Sequence, residues 1–131
     1  MRCGGIEAHL FPTAAQLAAF LTAAARADVP FKATAGLHHA VPYPDPKTGF
    51  THHGFLNILV AIARAVGGAE QAEVEAALLI DDGAQFNAAA RDLPAATVDL
   101  APRRLLAYGS CSTSEPVADL VELGLIGKDI P

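Results

Sequence analysis

The sequence predicts an α/β fold of successive βα units around a small parallel sheet, and three features support it. Stretches with helical spacing of apolar residues alternate with short stretches of strict two-residue alternation. Alanine dominates an apolar fraction of 52%, while aromatic residues make up only 6% and tryptophan is absent, which suits packed helices better than an aromatic-rich sandwich. At 131 residues, of which 18% are charged, residues 1–131 are expected to form a single α/β domain with one sizeable core.

Each element has a local signal. Residues 1–5 read as the end of a strand. Thr13 and Gln16 make a capping box, and Leu17, Phe20, Leu21 and Ala24 form one stripe, so a helix is predicted over 13–28, stopped by Val29-Pro30. The period then changes: Phe31, Ala33, Ala35 and Leu37 share one face, and Lys32, Thr34, Gly36 and His38 the other, which predicts a strand over 31–38. Pro42, Pro44, Pro46 and Gly49 make residues 39–53 a long loop.

Helical spacing returns from Gly54, with Phe55, Leu59, Ile62 and Val66 one above another and Gly67-Gly68 as a stop. A helix over 69–80 carries Glu70 and Glu73 in its first turn, where the helix dipole favours negative charge. Asp81-Asp82-Gly83 reads as a solvated turn, followed by a short helix over 84–93 that Pro94 closes, and then a loop. Residues 104–110 read as a strand and 114–123 as a helix, with Ser112 and Glu115 as a capping box and Pro116 in the first turn. Three parallel strands leave open edges, and parallel sheets are normally covered on both faces, so more copies of the chain or a partner chain are expected to extend or cover this one.

Charge and composition exclude several classes. The net charge is −5 and the basic residues are scattered apart from Arg103-Arg104, so no footprint for nucleic acid exists. The apolar stretch at 54–66 is interrupted by Asn57 and Arg64 and is shorter than the ~20 residues that span a bilayer, so no membrane segment is expected. The opening residues lack the patterns of a secretory signal or a transit peptide, which makes the cytoplasm the expected location. Cys3 and Cys111 lie far apart without metal-type spacing and are expected as reduced thiols.

In parallel sheets, functional groups gather beyond the carboxyl ends of the strands. The loops there contain Cys3-Gly4-Gly5, Gly36-Leu37-His38-His39 and Gly109-Ser110-Cys111-Ser112, all polar and glycine-bearing. Lys32, on the polar strand face with Thr34 and His38, is a candidate Schiff-base nucleophile if desolvated, or a charged anchor for phosphate or carboxylate; the plainer alternative is a lysine that reaches water. The 109–114 loop runs into a helix start whose free N–H groups suit an anion, unless Ser112 and Ser114 are only caps. Cys111 at that start is either a thiolate or a small buried thiol.

Four of the five histidines form the pairs His38-His39 and His52-His53. Neutral imidazoles are common metal ligands, and the proline-rich loop between the pairs could bring them together around a divalent metal, with Asp45 or Cys3 as further ligands, but HExxH and CxxC spacings are absent. The alternative is that His53 caps a helix start and His38 is a hydrogen-bonding group in a pocket. Asp81-Asp82 and the acidic trio Glu70, Glu73 and Glu75 read as solvated surface.

The segments Arg2-Cys3-Gly4-Gly5, Phe31-Lys32-Ala33-Thr34-Ala35-Gly36-Leu37-His38-His39, His53-Gly54-Phe55-Leu56-Asn57 and Tyr108-Gly109-Ser110-Cys111-Ser112 resemble the C-terminal half of larger, uncharacterised bacterial proteins of βα-barrel-like build. The resemblance implies half of a TIM-type barrel, to be completed by oligomerisation or by a partner chain. More remotely, Lys32-Ala33-Thr34-Ala35-Gly36 is similar to the Lys-Ala-Ser-Gly-Gly run of deoxyribose-phosphate aldolases, with Ala35 in place of one glycine. The separate strand that carries that family's Schiff-base lysine has no counterpart here.

Together these features lead to an expected enzyme subunit, lyase-like, that acts on a small anionic metabolite. Lys32, His38 and His39 are the catalytic candidates. Arg2, Cys3, Gly4, Thr34 and Gly36 are expected to bind substrate from one side, and Tyr108, Gly109, Ser110, Cys111 and Ser112 from the other. The alternatives are a metal-dependent hydrolase built on His38, His39, His52 and His53, and a non-catalytic subunit that completes a partner's barrel.

Overall fold

A computed structural model describes residues 1–128 and places β1 (Phe31–Ala33) in the middle of a short parallel sheet. On one side β1 pairs in parallel with β4 (Leu105–Tyr108), Phe31 opposite Leu105, Lys32 opposite Ala107 and Ala33 opposite Tyr108; an irregularity in register leaves Leu106 out of the pairing. On the other side an isolated parallel bridge joins Arg2 to Thr34: the Cys3 N–H donates to the Thr34 carbonyl (2.8 Å) and the Thr34 N–H to the Met1 carbonyl (2.9 Å). The expected third strand is therefore present as a single rung.

The strand predicted over 31–38 ends early. Ala35 (φ 66°) and Gly36 (φ 77°) both adopt left-handed backbone, which breaks the extended conformation and turns the chain away from the sheet. The alternation holds up to that point: Phe31 and Ala33 are buried, Lys32 and Thr34 exposed. Ala35, expected on the buried face, is only half-buried, and Lys32 is open to solvent in the single chain, the plainer of its two alternatives.

One face of the sheet is covered by helices. α1 (Ala14–Arg26) begins at Thr13, whose side chain accepts the Gln16 N–H while the Gln16 side chain accepts the Thr13 N–H, the predicted capping box. α2 (Phe55–Val66) is the central helix, with Phe55, Ile58, Val60, Ala61, Ile62, Ala63 and Ala65 all buried. α3 (Gln71–Leu78) starts at a second capping box, Glu70 with Glu73. These three pack against one another, and Leu17, Leu21, Ile58, Ile62, Val74 and Leu78 are sealed between them.

α4 (Gly83–Arg91) is capped by Asp82, whose side chain accepts the Gln85 N–H at 2.8 Å; half of the supposed acidic turn is thus a helix cap. The loop expected after Pro94 is instead α5 (Ala95–Arg104), which packs on α2. Pro102 concealed it, yet Pro102 lies within the last turn, and the helix ends at Arg104. α6 (Ser114–Glu122) closes the fold, and its expected capping box does not form: Thr113 stands at the cap position without a side-chain bond, and the Ser112 and Ser114 hydroxyls lie 3.0 Å apart.

The opposite sheet face has no cover among the described residues. Lys32, Thr34 and Ala107 are exposed there, and Leu106 is 56% exposed. Residues 8–26 have the length and composition of a membrane span, but Pro12 and the Thr13 cap break this stretch, leaving a 13-residue helix whose Leu17, Ala18, Leu21 and Ala24 belong to the core.

A candidate active site at the carboxyl ends of the parallel strands

The segment that follows β1 is fixed from below by α2. The Phe55 N–H donates to the His39 carbonyl (3.0 Å) and the Leu56 N–H to the Ala40 carbonyl (3.1 Å), so the first-turn donors of α2 are satisfied by the backbone that carries the histidines. Gly54 permits this approach, since a Cβ there would lie 2.4 Å from the Ala40 carbonyl oxygen and 2.5 Å from Val41 Cα. Asn57, fully buried, ties α2 to α3 by donating from Nδ2 to the Ala77 and Ile80 carbonyls, both at 2.8 Å.

The stretch predicted to be an irregular loop contains a small antiparallel pair, β2 (Tyr43–Pro44) with β3 (Thr51–His52). Asp45 builds the turn between them: its carboxylate accepts the Lys47 N–H (2.9 Å) and the Thr48 hydroxyl (3.1 Å), and its carbonyl accepts the Gly49 N–H (2.8 Å). The Lys47 bond is the main reason the Asp45 carboxyl is held below the usual carboxylate range; Thr48 and the nearby His52 act in the same direction.

This hairpin brings four rings into one cluster. Tyr43 stacks on His52 (centroids 5.0 Å apart) and meets His39 edge to face (4.3 Å), and His52 lies 6.1 Å from His38. Burial, reinforced by Asp45, Glu115, Cys111 and Asp119, pushes the Tyr43 hydroxyl up from 10.0 to about 12.

His38 and His39 each meet a group distant in sequence. His38 Nδ1 lies 3.2 Å from Ser110 Oγ, and Cys111 Sγ lies 3.5 Å from His38 Nδ1 and 3.8 Å from Nε2. The Ser110 hydroxyl also accepts the Ser112 N–H at 3.3 Å. His39 Nδ1 lies 3.0 Å from Asp119 Oδ2, which in turn accepts the Ala40 N–H at 2.7 Å. A carboxylate in that position orients the ring, favours the proton on Nδ1 and leaves Nε2 free to take another.

Two hollows flank the cluster. The larger, about 560 Å³, is lined by His39 and Tyr43 together with Asp81, Asp119 and Glu122. The smaller, about 310 Å³, lies at the start of α6 among Tyr108, Ser110, Ser112 and Thr113. Asp81, Asp119 and Glu122 give the first its negative charge, and the second sets hydroxyl groups against an apolar wall of Pro116, Val117 and Leu120.

The other sequence candidates are placed as follows. Gly36 gives its carbonyl to His52 Nδ1 (3.1 Å), and its Cα packs so closely on Gly4 that a Cβ on Gly4 would lie 3.0 Å away. The Gly109 N–H donates to the Ala33 carbonyl (2.8 Å), which anchors the 109–112 loop beside β1. Tyr108 stacks flat on Phe55 at 4.9 Å. Arg2 bends back to its own loop, donating from Nε to the Gly4 carbonyl (2.8 Å), and the Thr34 hydroxyl donates to the Met1 carbonyl (3.2 Å). Cys3 is sealed in the core, where burial pushes its thiol up to about 11, so it is a structural thiol rather than a surface for substrate.

The four paired histidines do not share a ligand set. His53 Nε2 is engaged by the Pro12 carbonyl (2.7 Å), His52 is held between Gly36 and the Asp45 turn with Nε2 3.5 Å from Asp45 Oδ2, and His39 turns to Asp119. Among the described residues, no group of three or more His, Cys, Asp or Glu is arranged to hold a metal ion. His53 does not cap α2 either, since Gly54 occupies the cap position.

Two site residues escape a reading of the sequence. Asp119 forms a stripe with Glu115 and Glu122 at helical spacing, which looks like solvated surface; only the fold reveals the histidine opposite. Tyr43 stands between the two histidine pairs and is one of just two tyrosines, the one available hint. Compared with known proteins, the chain matches no family model, no curated protein and no solved structure.

Proposed function

We propose that the chain is a subunit of a cytoplasmic, partial βα-barrel enzyme that moves protons on a small anionic metabolite. The observation that carries this is the meeting of His38 with Ser110, 3.2 Å apart although 72 residues separate them, where both strands of the parallel pair end. An imidazole held by a hydroxyl beside an open hollow has the makings of a general acid or base. The anion belongs in the smaller hollow, where the Ser110, Ser112 and Thr113 hydroxyls and the positive end of α6 favour it; Asp81, Asp119 and Glu122 make the larger one repel it. His39, oriented by Asp119, serves as the second proton-transfer group.

Lys32, solvent-exposed in the single chain on the uncovered sheet face, is given no step in this chemistry. That same face supports assembly, because parallel sheets are ordinarily covered on both sides. Sedimentation is expected to show a dimer or larger species at micromolar concentration; a monomer with full activity would contradict the assembly.

A panel of phosphorylated and carboxylated metabolites, followed by NMR for consumption, tests the function. His38→Gln is expected to lower turnover by about 100-fold or more with little change in KM, the usual scale of general acid–base catalysis. Turnover indifferent to His38→Gln and His39→Gln, or a panel in which nothing is bound or consumed, would refute it.

A further inference from the structure

We infer that Cys111 is a nucleophile and that the site performs acyl transfer, taking a small anionic ester, thioester or amide as substrate. The inference rests on the site proposed above and names its chemistry. The two thiols of the chain differ in kind: Cys3 has no exposed surface, whereas Cys111 is exposed on the loop beside the hydroxyl-lined hollow. Within reach of the Cys111 sulfur stands an imidazole, His38, with Nδ1 at 3.5 Å and Nε2 at 3.8 Å, and Ser110 Oγ stands 3.2 Å from the same Nδ1. A nucleophile, a base and a group that orients the base form the arrangement that activates cysteine for attack on carbonyl carbon.

The hydrogen bonds select the working nitrogen. Ser110 Oγ has two lone pairs; it accepts the Ser112 N–H at 3.3 Å and is placed to accept a proton on His38 Nδ1 at 3.2 Å. His38 then carries its lone pair on Nε2, 3.8 Å from Cys111 Sγ; the sulfur stands nearer Nδ1, at 3.5 Å, so the exposed thiol must rotate toward Nε2 before it gives up its proton. The Ser112 hydroxyl on the same loop and that of Ser114 at the start of α6 lie 3.0 Å apart, and the one that accepts this bond keeps its own proton for a developing oxyanion.

The step balances without an added oxidant or reductant. As the Cys111 sulfur bonds to the acyl carbon, its proton passes to His38 Nε2 and the carbonyl π pair moves onto oxygen. Collapse of the tetrahedral species breaks the bond to the leaving group, which takes the proton from His38, and leaves an acyl thioester on Cys111. Water or another acceptor then attacks that thioester, gives its proton to His38 and releases the Cys111 thiol.

The test uses the full chain with two activated probes, 4-nitrophenyl acetate and 4-nitrophenyl hydrogen succinate, reading nitrophenolate release and locating the acyl group by peptide mass spectrometry. Expected are a burst of one equivalent, the acyl group on Cys111 and not Cys3, and faster reaction with the succinate. Cys111→Ala abolishes the burst, and His38→Gln slows it by about 100-fold or more while the thermal midpoint stays unchanged. Absence of an acyl group on Cys111, or acylation at equal rate in His38→Gln, would overturn the inference; equal rates for the two probes would overturn its anionic substrate. If Cys111→Ala still consumes an anionic metabolite in a His38-dependent way, acyl transfer fails while the proton-transfer function stands. If neither probe nor metabolite reacts, both fail.

Discussion

Replacing Gly54 by alanine tests how the site is held. The new Cβ would sit 2.4 Å from the Ala40 carbonyl oxygen, 2.5 Å from Val41 Cα and 2.7 Å from Asn57 Oδ1, against ordinary contacts of 3.4 Å or more. Two of these obstacles are backbone and the third is a fully buried side chain, so no rotamer change relieves them. Residues 40–41 or the start of α2 must therefore move by roughly 1 Å, and overpacking of this kind costs about 1–3 kcal/mol. The shift also stretches the bonds from the Phe55 and Leu56 N–H groups to the His39 and Ala40 carbonyls, each worth about 1 kcal/mol. A loss of about 3–5 kcal/mol is expected in a urea titration, as a lower midpoint at unchanged slope. The resonances of His38 and His39 should shift in the same variant, because their backbone is what moves. A loss below about 1 kcal/mol with unchanged histidine resonances would refute the claim that α2 positions the histidines.

Three further perturbations bear on the same framework. Asn57→Ala removes both donors to the Ala77 and Ile80 carbonyls at the end of α3 and should cost about 2–3 kcal/mol, with hydrogen exchange in residues 71–80 speeding up more than in α1. His53 is held below its ordinary value of 6.5 chiefly by burial, so the unfolded chain takes up a proton that the folded chain refuses. Stability should fall as pH drops through and below 6.5, and His53→Gln should flatten that slope in chemical denaturation. Cys3 gives the alkaline counterpart: its thiol is raised from 9.0 to about 11, so stability is intact below pH 9.0 and on the order of 2 kcal/mol is lost by pH 11, a loss absent in Cys3→Ala.

The elements were most legible where a local signal was enough. The Thr13–Gln16 box and the apolar stripe after it define α1, and the alternation of Phe31, Lys32 and Ala33 defines β1 with its faces. Where long-range contacts decide, the sequence misleads. Pro102 hides α5 because a proline in the last turn has the same local signature as a proline after the helix. The strand after Ala33 is cut short by Ala35, a non-glycine residue in left-handed backbone that no propensity would place there.

The same contrast runs through the site. Glycine-bearing loops after the strands pointed to Gly36, His38, Gly109, Ser110 and Cys111, and these do lie together. For Lys32 the two alternatives stayed open, because alternation tells which residues share a face but not whether anything covers that face. Asp119 was beyond reach, since its partner His39 is 80 residues away and its own helix gives it an acidic, surface-like context.

The central claim, that an anion is held where His38 meets the 109–112 loop, is most directly tested by titrating the protein with small phosphates and carboxylates while following its amide and histidine NMR signals. Saturable shifts are expected in residues 36–39 and 109–114, weakened by Ser110→Ala and His38→Gln. Shifts that never saturate, vanish with modest salt, or fall around Asp81 and Glu122 instead would contradict it.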